Sequence, residues 1–297
     1  MGRASVNGPL AMAALCVAAC ASGSPQSPAP QTRDDRLFFT YDAPAGGEQY
    51  ECFGFDASAL AGRWLTGIDW KAPTVAGAEL HHAALYAFPQ DYPDGPVACD
   101  AMPVAWTMHL WLPGGGPLTL PPGVAITLPP ATRRFVIQAH VLRASAGPAG
   151  TASATLHSTG EPPAHEAKWL PAAGSVPALR PHMMDHTSTT CTAAAPMHVL
   201  SSSPHMHLIG TSFQGAFVRA GGTRSVFVDV PSWNFDEQKT YAVDQDVAAG
   251  DGVESDCTWF NPTDSYVLPG ASTHDEMCGQ ALVVWPARTA GWTASCQ

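Results

Sequence analysis

The chain contains Pro204-His205-Met206-His207, followed by Leu208-Ile209-Gly210. In an extended strand residues i and i+2 face the same side, so His205 and His207 can present two imidazoles to one metal ion without backbone distortion. Two solvent-facing histidines on a strand would show the same spacing. His81-His82 is a different case, because neighbouring strand residues point to opposite faces. Both reach one ion only at a bulge, at a strand end, or through different ring nitrogens. His140 closes the β-rich run Arg134-Phe135-Val136-Ile137-Gln138-Ala139-His140, with Gln138 on its own face. Met277, in Thr273-His274-Asp275-Glu276-Met277-Cys278, reads alone as a gap-filling core methionine. If it converges with His205 and His207, two imidazoles and a thioether make a neutral, soft set that selects copper, above all Cu(I), over zinc or hard oxygen-seeking ions. Three histidines would suit copper or zinc equally.

Strands are the elements available to position these groups. From about residue 36 onward, β-rich stretches such as LFFTYDA (37–43), HAALYAF (82–88), SFQGAFVRA (212–220), RSVFVDV (224–230) and QALVVWP (280–286) alternate with turn signals at 114–116, 121–123, 220–222 and 250–252. The 27 Gly and 28 Pro interrupt helices, and 13% charged residues is about half the usual ~25%, too few for the charged outer faces of helices. The pattern predicts an all-β, antiparallel sandwich architecture. At 297 residues the length fits two domains on the rough prior of ~150 residues each. The Pro/Gly-rich stretch at about 160–185 is the best junction, dividing the chain into 36–172 and 173–297.

A net charge of −11, with Lys at only three positions, leaves no basic stripe for a phosphate backbone, so nucleic acid is not an expected partner. Residues 1–20 carry a short apolar run from Leu10 to Ala19, too short to span a bilayer and fitting a secretory signal. The run ends in Val17-Ala18-Ala19-Cys20, like a bacterial lipobox whose Cys20 carries the lipid. The Ser/Pro-rich residues 21–35 would be a tether. The expectation is an exported lipoprotein of the bacterial cell envelope, facing periplasm or exterior and touching the membrane through its lipid anchor alone. Six cysteines then remain, an even number in an exported chain, which points to disulfides in any of 15 pairings. The sequence has no C-x-x-C, no GxSxG elbow, no phosphate loop and no HExxH helix.

His81-His82, Gln138-x-His140, Pro196-Met197-His198-Val199, His205-x-His207-x-x-Gly210 and Asp275-Glu276-Met277-Cys278 occur in this order. In that order and at this spacing the chain resembles the copper type II, ascorbate-dependent monooxygenases, over about residues 48–297. The resemblance implies two jelly-roll β-sandwich domains packed side by side, with two copper ions on facing surfaces of an open cleft. It assigns His81, His82 and His140 to an electron-transfer copper, and His205, His207 and Met277 to an oxygen-binding copper. Tyr50 and Gln138 match positions near the first copper, and His198 and His274 are candidates to support the ligands. The family-like disulfides are Cys52–Cys99, Cys191–Cys296 and Cys257–Cys278. The implied reaction hydroxylates a substrate C–H bond with dioxygen and a one-electron reductant such as ascorbate.

Departures from the family bear on the substrate. Ser203 replaces an Arg that holds a substrate carboxylate in the peptide-processing member, and Gly279 and Ala281 replace an Asn and a Tyr. Ser203 cannot supply a charged fork of donors. The expected substrate is therefore a small molecule other than a glycine-extended peptide. His109 reads as structural, and His157, His165, His182 and His186 as loop or surface residues. Two other classes fit parts of the pattern: a non-catalytic copper-binding lipoprotein for storage or delivery, and a metal-free jelly-roll binding module or amidase.

Overall fold

A computed structural model describes residues 1–2, 32–42, 46–72, 79–99, 106–143, 148–293 and 296. The expected lipobox and Cys20 lie outside the described residues. The described chain is all-β, and its one helical element is a single 3-10 turn at Ser58–Leu60. In chain order the first strands are β1 (Thr32–Tyr41), β2 (Gly47–Asp56), β3 (Trp64–Lys71), β4 (Glu79–Phe88), β5 (Val97–Ala98) and β6 (Trp106–Trp111). They are followed by β7 (Leu118–Thr119), β8 (Val124–Thr127), β9 (Arg134–Arg143), β10 (Gly150–Thr159) and β11 (His165–Ala173). The remainder are β12 (Met184–Thr192), β13 (Met197–His205), β14 (Gly210–Val218), β15 (Arg224–Val230), β16 (Tyr241–Val247), β17 (Gly252–Phe260) and β18 (Gly279–Trp285).

Three sheets result. A five-stranded sheet runs β5-β2-β9-β4-β6, and a four-stranded sheet runs β12-β17-β14-β15. The third, of nine strands, runs β1-β10-β3-β8-β11-β18-β13-β16, with β7 paired to β3. One core lies between the five-stranded sheet and the first part of the long sheet, where Phe53, Leu85 and Ile137 meet Leu65, Ile126 and Leu156. On the other half, Phe217 and Val253 of the four-stranded sheet pack on Val199, Leu282 and Val284 of the long one.

Two sequence expectations change. The tether was expected to run to residue 35, but β1 begins at Thr32, where pairing from Thr32↔Thr159 to Asp35↔Leu156 satisfies its backbone. The sandwich pattern predicts antiparallel pairing throughout, yet β11 meets β8 in parallel at His165–Ala167 while pairing antiparallel with β18 on its other side. β11 therefore spans the expected junction, and the 172/173 boundary falls inside it.

The three disulfides are those the resemblance implied: Cys52–Cys99, Cys191–Cys296 and Cys257–Cys278. Cys257–Cys278 ties β17 to the residue just before β18, beside Met277.

Candidate metal centre

The first cluster is built on β9, the middle strand of its sheet. Phe135, Ile137, Ala139 and Val141 enter the core, so Gln138 and His140 take the opposite face. On either side of β9, Tyr50 of β2 and His82 of β4 both stand opposite His140, which sets three site residues in one row. His81 joins them through a bulge: Leu80 pairs with Val141 and His82 with His140, leaving His81 as the extra residue. One ligand atom from each of His81, His82 and His140 lies within 4.8 Å of the other two. His81 Nε2, His82 Nδ1 and His140 Nδ1 are buried without a hydrogen-bond partner. Three converging imidazole nitrogens left unpaired in this way fit a cation better than a dry core, because an unsatisfied buried polar atom costs ~1–3 kcal/mol.

Burial, and then the neighbouring histidines, push the His81 pKa down to about 2, and His82 falls well below its ordinary range for the same reasons. His140 is lowered chiefly by burial. All three are neutral at pH 7, the state in which imidazole ligates a metal.

Glu48, which sequence reading did not select, organises this cluster. Its Oε2 lies 3.1 Å from His140 Nε2 and accepts from the Thr273 backbone N–H (3.1 Å) and Thr273 Oγ1 (2.5 Å), while Oε1 accepts from Ser272 Oγ (2.5 Å). Burial raises its pKa, but these donors outweigh it and hold the carboxyl at about 2. An ionised Glu48 accepts from His140 Nε2–H and so leaves the lone pair on Nδ1, the atom without a partner. Tyr50 stacks flat on His140, centroids 4.1 Å apart and planes at 3°, and its hydroxyl donates to the Ala271 carbonyl at 2.7 Å. Gln138 accepts from Tyr86 Oη at 3.3 Å.

The second cluster starts at the end of β13. Met206 is buried in a core with Phe213 and Trp259, so alternation turns His205 and His207 away from that core. His205 Nδ1 lies 2.8 Å from Gln238 Oε1, and His207 Nδ1 lies 3.0 Å from the Asp275 carbonyl oxygen. Each contact occupies Nδ1 and directs Nε2 outward. Burial lowers both pKa values, His205 to about 4. Met277 and His205 line a common cavity. Glu276 fixes the Met277 loop, accepting from the backbone N–H groups of His207, Ile209 and Met277 and from Trp259 Nε1. Burial pushes its pKa upward against those donors.

The open cleft is not what the structure has. The His82 and His205 rings lie 6.0 Å apart and Phe235 stacks on His81 at 3.9 Å, so the two clusters adjoin. The surfaces are drawn together by the Glu48 and Tyr50 hydrogen bonds to residues 271–273. His198 is not near either cluster. Its two nitrogens face Asp246 (2.7 Å) and Asp244 (2.9 Å), and its ring stacks on Trp285. His274 is exposed and its side chain makes no contact among those described. His109 accepts from Trp70 Nε1 at 3.0 Å, the expected structural role. His157, His182 and His186 pair with surface carboxylates.

Residues 172–296 match the copper type II ascorbate-dependent monooxygenase family, C-terminal domain. The match covers 125 of the 297 residues, the second half of the described chain. The family match contains His205, His207 and Met277 and stops short of β4 and β9, so the first cluster stands on its geometry alone. No curated protein matches the chain. Among solved structures, the chain is similar to that of the infectious bursal disease virus Gt strain, at 11% identity, covering 88% of this chain and 73% of that one, with a TM-score of 0.22. The VP2 subviral particle of the same virus gives 11%, 86%, 72% and 0.23. Likenesses this slight carry no argument.

Proposed function

We propose that the protein is a copper-dependent monooxygenase that hydroxylates a C–H bond of a small molecule, using dioxygen and a one-electron reductant such as ascorbate. One oxygen atom enters the C–H bond and the other leaves as water, with two electrons from the reductant and two protons from solvent. The observation that carries this reading is the adjacency of two neutral donor sets of different softness. His81, His82 and His140 supply three imidazoles, while His205, His207 and Met277 lie in the family-matched region and add a thioether.

Copper bound by these sets supplies one-electron redox chemistry and reaction with dioxygen. The chain's own residues do the rest. Glu48 fixes the protonated nitrogen of His140, and Gln238 and the Asp275 carbonyl do the same for His205 and His207. Tyr50 holds the His140 plane, and Phe235 covers His81 against solvent. The two halves form jelly-roll sandwiches that share the long sheet, and Cys20 carries a lipid that anchors the protein in the bacterial envelope.

A non-catalytic copper-binding protein would use the same ligands, and Met277→His separates the two. A harder nitrogen stabilises Cu(II) and preserves metal content. The expected result is near-native copper with most substrate-dependent oxygen uptake lost. Native rates in Met277→His under the same ascorbate and oxygen would remove Met277 from the oxygen site.

A further inference from the structure

The cavity beside Met277 and His205 has a volume of about 610 Å³, a size that suits small organic ligands. Its walls are mostly carbon: Leu110, Trp169, Pro171, Val176 and Pro269 line it together with Met277. Among the described residues no Arg or Lys lines it. The polar side chains that do are mostly occupied already. Gln280 donates to the Glu254 carbonyl and Ser255 Oγ at 3.0 Å each and accepts from Ser202 Oγ at 2.7 Å. Ser203 Oγ is paired with Thr240 Oγ1 at 2.8 Å, and His205 Nδ1 with Gln238. Glu276, the one ionisable carboxyl among the described lining residues, is spent on four N–H donors of the protein.

The bare wall is enforced by the backbone. A Cβ on Gly279 would lie 2.9 Å from Ala173 Cα and 3.1 Å from the Ala172 oxygen, so β11 leaves no room for a polar side chain there. Ala281, also on the lining, adds a methyl group alone. A carboxylate entering this cavity would lose its water and gain no charged donor, a cost that hydrocarbon contacts do not offset.

We infer that the cavity takes an uncharged, apolar small molecule, held by its hydrocarbon body with a C–H bond toward Met277 and His205. Its role as substrate site rests on the copper monooxygenase reading, whereas its preference for neutral apolar ligands does not.

Calorimetric titration of the copper-loaded protein with naphthalene and 2-naphthoate tests the inference, because the two probes share a ring system and differ in one charge. The expected result is one naphthalene per chain, with 2-naphthoate at least tenfold weaker. Ala281→Phe, which fills the cavity, weakens naphthalene at least tenfold. Ser203→Arg shifts the ratio of the two affinities at least tenfold toward 2-naphthoate, so the inference stays testable if the Phe variant folds poorly. Equal affinity of the native protein for both probes, or no naphthalene binding, overturns it. Copper content and ascorbate-dependent oxygen uptake are measured on the same samples. Naphthalene binding by a protein whose oxygen uptake no substrate stimulates overturns the monooxygenase reading and supports the ligand class. Oxygen uptake driven by anionic substrates, with 2-naphthoate bound more tightly than naphthalene, does the reverse.

Discussion

Glu48 offers the sharpest test of how the first cluster is held. Its carboxylate accepts from His140 Nε2–H and from three donors on Ser272 and Thr273, so removing it frees the His140 ring to change tautomer and releases the loop that leads to Met277. Loss of a group that orients a ligating histidine typically costs ~10–100-fold in metal affinity, or about 1.4–2.7 kcal/mol. Glu48→Ala should fall in that range. Glu48→Gln should lose less, about threefold, because its amide oxygen can take the Oε2 position while its NH2 donates to Ser272 Oγ, which is able to accept. Anaerobic competition with a Cu(I) chelator, in a His207→Ala background that silences the second cluster, reads the affinity of the first. If Glu48→Ala stays within twofold of its parent, or Glu48→Gln falls below Glu48→Ala, Glu48 does not set the His140 tautomer.

Other outcomes follow from the same contacts. His140→Ala should lower copper from two ions per chain to one while sparing the second cluster, and metal analysis showing one ion in the native protein and no change in the variant would contradict the first site. His109 is buried and its pKa is lowered to about 4 by burial, so the folded protein binds fewer protons than the unfolded chain between there and about 6.5. Its contribution to stability is complete above about pH 6.5 and declines by up to about 3 kcal/mol as pH falls to about 4. Denaturant melts of His109→Gln should show a shallower decline over that window, and identical pH profiles would refute the assignment. Cys20→Ser should release the protein from the membrane fraction; sedimentation of the variant with membranes in high salt would argue against lipid anchoring.

What could be read from the sequence was what depends on short spacing. The i, i+2 histidines and the turn punctuation were of this kind, and the condition set for His81-His82 is met by the bulge. The rest needs the third dimension. Glu48 carries no motif, and its partners Ser272 and Thr273 are 224 and 225 residues away in sequence. Phe235 looks like any core aromatic until it is found stacked on His81. His198 was a candidate because of its place in the motif series, but it precedes His205 by seven residues on the same strand, which at ~3.3 Å per residue puts it about 23 Å away. The parallel β8–β11 pairing is not legible in the sequence because short apolar runs do not declare their partners.

β11 bears on how such a chain can be divided. With β8 on one flank and β18 on the other, it gives the long sheet no natural seam between the halves. A fragment ending at Ala173 would expose the flank of β11 that β18 covers, presenting a row of unpaired amides and carbonyls to any extended segment nearby. A fragment beginning at Gly174 would leave β18 with the same bare edge. Neither half is therefore a unit that genetic recombination could move intact into another protein, and a graft that keeps its solubility has to carry β11 together with β18.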